Sequence, residues 1–202
     1  MLKILLTGGS SGIGLELSKA LSVHSVDCPT RTQLDLNNSD SVLNFVKEDY
    51  DVLINCAGTG VGGKIDFLNH SAINVQEILQ TNFVNVVLLT QAVLKRNPRC
   101  KVINITSTNN NRYWPNDLAY SLSKKALEHF GHMLALEYPD VAYLEVRVGL
   151  TKTNFNRSRY KSDPTRFQDI YTSNKYLLPE QVAAQIVDVM FNNNIKFIEI
   201  SP

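Results

Sequence analysis

The chain has 202 residues, of which 44% are apolar, and a formal net charge of +1. This length favours a single domain over residues 1–202, and the balanced charge excludes an electrostatic footprint for nucleic acid or an anionic membrane. No apolar stretch approaches the roughly 20 residues of a membrane-spanning helix. The three scattered cysteines indicate core residues in a reducing compartment, so we expect a cytoplasmic protein without a metal site.

Apolar segments alternate with amphipathic segments from one end of the chain to the other. Strands are predicted at residues 3–7, 25–31, 33–36, 51–58, 100–107, 142–148 and 195–200. Helices are predicted at residues 12–22, 41–49, 75–97, 120–138 and 179–193. This alternation implies βαβ units, and therefore an α/β fold with a parallel sheet covered on both faces. Ligands of such sheets bind beyond the carboxyl ends of the strands.

The first strand is followed by the segment TGGSSGIG at residues 7–14, which runs directly into a helix. Glycines allow the backbone to turn tightly and to approach a pyrophosphate, which then lies at the positive N-terminus of the helix. A simple tight turn is the alternative. The segment is not a P-loop, because no Gly-Lys-Ser/Thr follows it.

Other polar residues follow later strands. Arg31 comes after the second strand, where an arginine suits the 2′-phosphate of NADP and a carboxylate would suit NAD; a solvated surface arginine is the alternative. Pro29 cannot donate a ladder hydrogen bond, which places this strand at or near a sheet edge. The segment NCAG at residues 55–58 brings bare backbone and one amide to the same rim, and Asn82 lies on the apolar face of the long helix.

Two segments, YSLSK at 120–124 and YTSNK at 171–175, each place a tyrosine four residues before a lysine and 13 residues after a serine. Ser107 follows an apolar strand and so lies at the carboxyl edge of the sheet, while Tyr120 and Lys124 lie one turn apart on a helix. Ser158 lies in a segment without strand character, and a proline follows the second pair too closely for a helix to continue. The first pair is therefore the predicted site.

Together these residues resemble the short-chain dehydrogenase/reductase family over essentially the whole chain. The glycine segment matches TGxxxGxG, NCAG matches NNAG, Asp35 matches the adenine-side aspartate, and VGLTKT at 148–153 is similar to PGxxxT. The resemblance implies a Rossmann-type doubly wound sheet of six to seven strands in the order 3-2-1-4-5-6-7. We expect this sheet to be reduced at the edge of strands two and three.

The resemblance also implies an oxidoreductase that interconverts a carbonyl and a secondary alcohol by hydride transfer. Tyr120 would be the general acid or base, its pKa lowered from about 10 by Lys124 and by the oxidised nicotinamide. Ser107 would bind the carbonyl oxygen, and Asn82 would anchor a water chain. NADP(H) is favoured over NAD(H) because of Arg31. The implied cofactor contacts are Thr7, Gly8, Ser10, Ser11, Gly12, Ile13, Gly14, Arg31, Asp35, Leu36, Asn55, Ala57, Gly58, Tyr120, Lys124 and Thr153.

Several features depart from the family pattern. Val148 replaces a proline, Ser11 stands where many NADP-preferring members have a basic residue, and the helix between strands two and three is nearly absent. We also expect the chain to end at its last strand, without the C-terminal extension of many members. A non-catalytic NADP-binding sensor is the alternative function. By resemblance, subunits would pair through helices 74–96 and 120–138 as a homodimer or homotetramer.

Residues 150–178 are expected to fold over the site as a lid for a small carbonyl or alcohol substrate. Their basic residues favour either an anionic substrate or a solvated loop. Tyr113 and Trp114 would line an apolar pocket or pack a loop. The segment contains Arg157, Arg159, Lys161, Arg166 and Lys175, opposed by Asp163 and Asp169.

Overall fold

Six parallel strands form one sheet, in the order β2-β1-β3-β4-β5-β6, in the computed structural model of the protein. The structure describes residues 1–111, 114–160 and 164–202, and only the backbone of Ser158, Pro164 and Arg166. The strands are β1 Lys3–Leu6, β2 Ser25–Asp27, β3 Val52–Asn55, β4 Lys101–Ser107, β5 Tyr143–Val148 and β6 Phe197–Ile200. This is the predicted order without its third strand.

The predicted helices are confirmed, and residues 150–178 contain two further short ones. The helices are α1 Gly12–Ala20, α2 Ser39–Phe45, α3 Ala72–Leu79, α4 Asn85–Arg96, α5 Leu118–Glu137, α6 Asn154–Arg159, α7 Pro164–Thr172 and α8 Pro179–Met190. A π-helical segment, Gln80–Val84, joins α3 to α4. Asn38 begins α2 because its side chain accepts hydrogen bonds from two backbone N–H groups of the first turn. A proline at the first turn starts α8, as its sequence predicts.

The sheet has a hydrophobic layer on each face, because successive side chains of a strand point to opposite sides. In β1, Ile4 and Leu6 pack on the side covered by α1 and α8, together with Leu17 and Ile186. Leu5 points the other way, into the layer formed with α2 and α4. The alternating helices therefore cover both faces, and the carboxyl edge of the sheet is left for loops.

The predicted strand at residues 33–36 is absent, and β2 forms the edge, as Pro29 predicts. The backbone of this segment is hydrogen-bonded locally: Leu34 N donates to Thr30 O at 2.9 Å and Asp35 N donates to Ser41 Oγ at 2.9 Å. Leu34 and Leu36 are buried all the same. The apolar pattern that suggests a strand is explained by this burial within a turn.

Residues 150–178 lie between β5 and α8, and the two ends of this segment are hydrogen-bonded to each other. Leu177 N donates to Leu150 O at 2.8 Å and Lys152 N donates to Leu177 O at 2.9 Å, which joins the two ends of the segment. Helices α6 and α7 lie between them. The sequence pattern predicted no element here, because each helix is too short to show a clear period.

The helical run Ala72–Arg96 is long and apolar enough to cross a membrane, by length and composition alone. This differs from the expectation that no apolar stretch approaches such a length. Helices of a protein core pass the same test, and here Leu89 and Val93 are fully or almost fully buried against Leu5 and Leu53 of the sheet. We therefore assign the run to the core.

Candidate functional site

A cavity of about 990 Å³ lies at the carboxyl edge of the sheet. It is lined by the loops that follow β1, β3, β4 and β5, by the start of α5 and by the segment 150–178. All the predicted site residues line it except Asn55 and Asn82. The fold therefore brings predicted site residues from distant parts of the sequence together at one cavity.

The glycine segment forms one end of the cavity. Gly8 has a φ of +75°, and a Cβ there would lie 2.8 Å from the Cα of Ala57, so only glycine fits without strain. A Cβ on Gly14 would lie 2.2 Å from the carbonyl oxygen of Gly8. The side chain of Ser11 makes no capping hydrogen bond at the start of α1. The first N–H groups of that helix can thus receive an anion, and this cradle fits the pyrophosphate of a dinucleotide.

Thr7 joins the glycine segment to the loop after β3. Its backbone N–H donates to Ile54 O at 3.0 Å. Its Oγ1 accepts hydrogen bonds of 3.1 Å from the N–H groups of both Cys56 and Ala57. One buried hydroxyl therefore fixes two cavity walls relative to each other.

Arg31 follows β2 and also lines the cavity, where the adenosine half of a dinucleotide would lie. Its Nε is 3.4 Å from Asp35 Oδ1, and its Nη2 is 3.9 Å from Glu77 Oε1. The side chain is 70% exposed, so both ion pairs are screened by solvent. Glu77 was not recognised from the sequence, because nothing local distinguishes it from other charged helix residues.

Asn55 and Asn82 are buried and are the two predicted site residues that do not line the cavity. The Asn55 amide is buried away from the cavity and donates to Thr90 Oγ1 at 3.2 Å and to Asn104 Oδ1 at 2.9 Å, so its side chain does not line the rim as expected. Asn82 lies in the π-helical segment, a form that is frequent at functional sites. Its Oδ1 accepts from Thr59 N at 2.7 Å, and its Nδ2 donates to Ser123 Oγ at 3.1 Å.

Ser107, Tyr120 and Lys124 all line this cavity. Ser107 is the last residue of β4, and its Oγ accepts a hydrogen bond of 3.2 Å from the backbone N–H of Asn109. Lys124 lies one turn further along α5 and donates to Ile105 O at 3.0 Å. A Cβ on Gly58 would lie 3.5 Å from Lys124 Nζ, so the loop after β3 closes directly over this lysine.

Burial dominates the proton affinities of this group. It raises the pKa of Tyr120 to about 12, against the smaller lowering effect of the Ser107 hydrogen bond. It also lowers the pKa of Lys124 to about 8. The expectation that Lys124 and the oxidised nicotinamide together lower the pKa of the phenol is not met in the chain alone, where burial raises this pKa and the opposing effect comes from Ser107 and not from Lys124.

The second tyrosine–lysine pair does not form such a site. Tyr171 is in α7, and its hydroxyl accepts a hydrogen bond of 3.0 Å from Asn156 Nδ2. Lys175 lies beyond the end of α7 at Thr172, so the two side chains are not on one helix. The Ser158 side chain is outside the described residues. Tyr171 packs the segment 150–178, as its edge-on ring contact with Tyr176 at 5.2 Å indicates.

The remaining wall beside Tyr120 comes from residues whose role the sequence left open. The guanidinium carbon of Arg159 lies 4.7 Å from the centre of the Tyr120 ring, and Phe155 packs against the same ring. Arg159 is ion-paired with Asp117, and Lys64 and Trp114 complete this side of the cavity. Arg159 is 7% exposed, which contradicts the solvated loop for this residue. Tyr113, Lys161, Asp163 and the Arg166 side chain lie outside the described residues.

The parallel sheet and the glycine segment that leads into α1 define a Rossmann-type fold. A model of the family described as short chain dehydrogenase matches residues 30–164. The chain therefore belongs to the short-chain dehydrogenase family and is an oxidoreductase.

Two relatives of this chain are named for different enzymatic activities. It is 33% identical to a 3-ketodihydrosphingosine reductase of Bacteroides thetaiotaomicron, over 83% of this chain and 71% of that protein. It is 26% identical to an NADP-dependent 3-hydroxy acid dehydrogenase of Schizosaccharomyces pombe, over 91% of this chain and 85% of that protein.

Solved structures share the fold at lower identity. A small-chain dehydrogenase in complex with NADPH superimposes with a TM-score of 0.87, at 20% identity, over 99% of this chain and 96% of that one. A 4-hydroxyisoleucine dehydrogenase complexed with NADH gives a TM-score of 0.83, at 21% identity, over 100% of this chain and 97% of that one. Cofactors with and without the 2′-phosphate thus occur among proteins of this fold.

Proposed function

We propose that this oxidoreductase interconverts a carbonyl and a secondary alcohol with NADP(H), and that Tyr120 is its general acid or base. The observation that carries the proposal is the convergence of Ser107, Tyr120 and Lys124 in the cavity that the glycine segment also lines. A proton donor, an oxygen-binding hydroxyl and a cation are what the reduction of a carbonyl needs at one point.

Each residue has a defined part in the proposed reaction. In reduction, the Tyr120 hydroxyl gives its proton to the carbonyl oxygen; in oxidation, it takes the proton of the alcohol. The Ser107 hydroxyl donates a hydrogen bond to that oxygen as negative charge develops on it. The nicotinamide, when bound, supplies or accepts the hydride at carbon. Lys124 stabilises the phenolate, and Asn82 fixes the loop at Thr59 and anchors the water that reprotonates the pair.

The preference for NADP(H) is part of the proposal. Arg31 supports it, because a guanidinium at the adenosine end can bind a 2′-phosphate. Asp35 and Glu77 act against it, because each places a carboxylate beside that guanidinium. The NADP dependence of the Schizosaccharomyces pombe relative also favours NADP. The preference we propose is therefore moderate.

Three further features belong to the same proposal. Residues 150–178 serve as the lid of the cavity, which α6 and α7 already line. Subunits pair through helices 74–96 and 120–138, where Leu122, Met133 and Leu136 are apolar and exposed. The three cysteines are unpaired, in keeping with a reducing cytoplasmic location.

The test follows NADPH oxidation, by nicotinamide absorbance, against a panel of small aldehydes, ketones and oxo acids. Tyr120→Phe is expected to lower turnover by 10²-fold or more, on the order expected for a lost general acid, with little change in NADPH affinity. Tyr171→Phe is the matched control, because it removes the other phenol of the two repeated patterns, and we expect it to retain turnover. Full activity of Tyr120→Phe would contradict the assignment. NADPH binding without turnover of any carbonyl or alcohol would favour the sensor.

A further inference from the structure

We infer that Asn110 and Glu128 are positioning residues for the proposed reaction: together they hold the turn that orients the hydroxyl of Ser107 toward the substrate oxygen. The inference rests on the proposed function, because it concerns how Ser107 is held. It adds two residues that do not themselves line the cavity.

The hydroxyl of Ser107 is oriented by the turn that follows it. A single 3₁₀ turn, Thr108–Asn110, comes directly after β4. The Oγ of Ser107 accepts a hydrogen bond of 3.2 Å from the backbone N–H of Asn109, inside this turn. A hydroxyl has one hydrogen to donate and two lone pairs with which to accept. Because the N–H of the turn occupies a lone pair, the serine keeps its hydrogen for donation, which is its proposed part in the reduction.

Asn110 fastens this turn to helix α5. Its Nδ2 donates a hydrogen bond of 2.7 Å to Glu128 Oε2. Both residues are only 7% exposed, so water competes little for this bond. Glu128 comes four residues after Lys124 and eight after Tyr120, so the three side chains share one face of the helix. The bond therefore fixes the turn after Ser107 relative to the helix that carries the proposed acid and its lysine.

Glu128 is itself held as an ionised carboxylate by two cations. Lys125 Nζ donates to Glu128 Oε1 at 2.6 Å, and Arg147 Nη2 on β5 lies 3.4 Å from Oε2. Burial raises the pKa of this carboxyl, but the hydrogen bonds from Lys125 and Asn110 and the charges of Lys125 and Arg147 outweigh it and hold the pKa below its usual value. A hydrogen bond to a carboxylate is shorter and stronger than one between neutral groups. The anchor of the turn is therefore a strong one.

Asn109 supplies a second anchor for the same turn. Its Nδ2 donates a hydrogen bond of 2.6 Å to Oδ2 of Asp117, the residue directly before α5. Two successive asparagines thus tie the turn to the start and to the middle of one helix. These contacts give a structural reason for two of the three asparagines that follow Thr108 in the sequence.

A network that only stabilises the loop would use the same hydrogen bonds. The two roles differ in how they depend on Ser107. A positioning residue acts through the Ser107 hydroxyl, so its effect on turnover disappears once that hydroxyl is removed, whereas a purely stabilising residue has the same effect in both backgrounds. The hydrogen bond from Ser107 strengthens as charge develops in the transition state, so a misoriented hydroxyl should lower kcat more than it raises KM.

The experiment measures kcat and KM for the reduction by NADPH of diacetyl, an activated diketone, and of each panel carbonyl that the wild type reduces. Ser107→Ala is expected to lower kcat by about 10²-fold or more, the usual effect of removing a donor to a developing oxyanion. Asn110→Ala is expected to lower kcat about ten-fold and to change KM less than about two-fold, because it displaces the donor without removing it. When Asn110→Ala is combined with Ser107→Ala, we expect no further fall in kcat.

Substitutions of Glu128 separate position from stability. Glu128→Gln keeps an acceptor for Asn110 but loses the charge, so it should lower stability and yet retain most of kcat. Glu128→Ala should lower kcat as Asn110→Ala does. Asn97→Ala is the matched control, because Asn97 also donates a side-chain hydrogen bond, of 2.9 Å to Tyr50 O, but lies before the start of β4 and outside the cavity wall. We expect it to lower stability without lowering kcat.

An unchanged kcat in Asn110→Ala, or a full further fall when it is added to Ser107→Ala, would overturn the inference. Thermal unfolding identifies any variant that fails to fold. If Asn110→Ala is one of them, Asn110→Asp carries the same comparison, because it keeps the shape of the side chain and turns the donor into a second carboxylate facing Glu128. A wild type that reduces none of these carbonyls refutes the proposed reaction, and the inference falls with it. A wild type that reduces them, but with independent effects of Ser107→Ala and Asn110→Ala, refutes the inference alone.

Discussion

Lys124 donates a hydrogen bond of 3.0 Å to the carbonyl oxygen of Ile105, across the contact between α5 and β4. This bond compensates only in part for burial, since the pKa of the lysine is lowered to about 8. A protonated lysine at this point therefore opposes folding. Its proposed role in stabilising the phenolate of Tyr120 gives a reason for a residue that the fold alone would not favour.

Lys124→Met is expected to abolish turnover and yet to raise the free energy of unfolding at pH 7. A pKa lowered from 10.5 to about 8 means that burying the protonated lysine lowers the wild-type free energy of unfolding by about 3 kcal/mol. The variant recovers this amount but loses about 1 kcal/mol with the hydrogen bond to Ile105. Between the two pKa values the unfolded wild type binds a proton that the folded form lacks, so wild-type stability rises with pH. Denaturant unfolding at pH 7 and pH 10 should show the advantage of the variant shrinking. A constant advantage would contradict burial of the charged lysine as its cause.

The sequence was sufficient for most of the sheet and for the glycine end of the site. Gly8, Gly14 and Thr7 act through contacts within a short segment and its neighbouring strand, which a local pattern can reveal. Ser107 and Tyr120 were placed together because parallel strands end at one edge and the helix begins there. The edge strand was predicted from a single proline, which cannot donate to a ladder.

Other features depend on contacts that no local pattern contains. Alternation along a strand does not say which face a residue takes, and so Asn55 was placed at the rim when its amide faces Thr90. Lys64 and Arg159 meet only because two loops far apart in the sequence fit together. The apolar residues Leu34 and Leu36 predict a strand, but they are buried within a turn whose backbone is hydrogen-bonded locally. The raised pKa of Tyr120 follows from burial, which sequence does not measure.

Asn82→Ala is expected to lower both stability and turnover. The substitution removes the fully buried Asn82 amide and leaves the part-buried Thr59 N–H without the acceptor that now lies at 2.7 Å, which costs about 1–3 kcal/mol. The loop that begins at Thr59 should then shift beside Lys124. Asn85→Ala is the matched control, because Asn85 is also fully buried and donates to Leu36 O at 2.9 Å, and not to the loop at Thr59. We expect the two variants to lose similar amounts of stability, and kcat to fall only in Asn82→Ala. Equal kcat values in the two variants would refute the proposed role of Asn82.

Gly14→Ala is expected to prevent dinucleotide binding and to destabilise the fold. The added Cβ would lie 2.2 Å from the backbone oxygen of Gly8, so the glycine segment would have to move as a whole. Gly9→Ala should be milder, because its Cβ would meet the side-chain sulfur of Cys28 at 2.6 Å, and a side chain can move. Thermal unfolding and NADPH fluorescence titration of both variants would check this order. A Gly14→Ala protein that binds NADPH normally would show that the glycine segment does not hold the pyrophosphate of the cofactor.

Substitutions at Arg31 and at its neighbour Glu77 are expected to shift the preference between NADPH and NADH in opposite directions. Arg31→Ala is expected to weaken NADPH binding at least ten-fold and NADH binding much less, because only NADPH carries the 2′-phosphate. Glu77→Gln is expected to strengthen NADPH binding several-fold, since it removes a negative charge 3.9 Å from the guanidinium. Arg31 is 70% exposed, so both effects should diminish at high salt. Fluorescence titrations of NADPH and NADH at two ionic strengths measure all four affinities. Equal losses of NADPH and NADH in Arg31→Ala would show that this arginine does not bind the phosphate, and the preference for NADP(H) would then have no residue to support it.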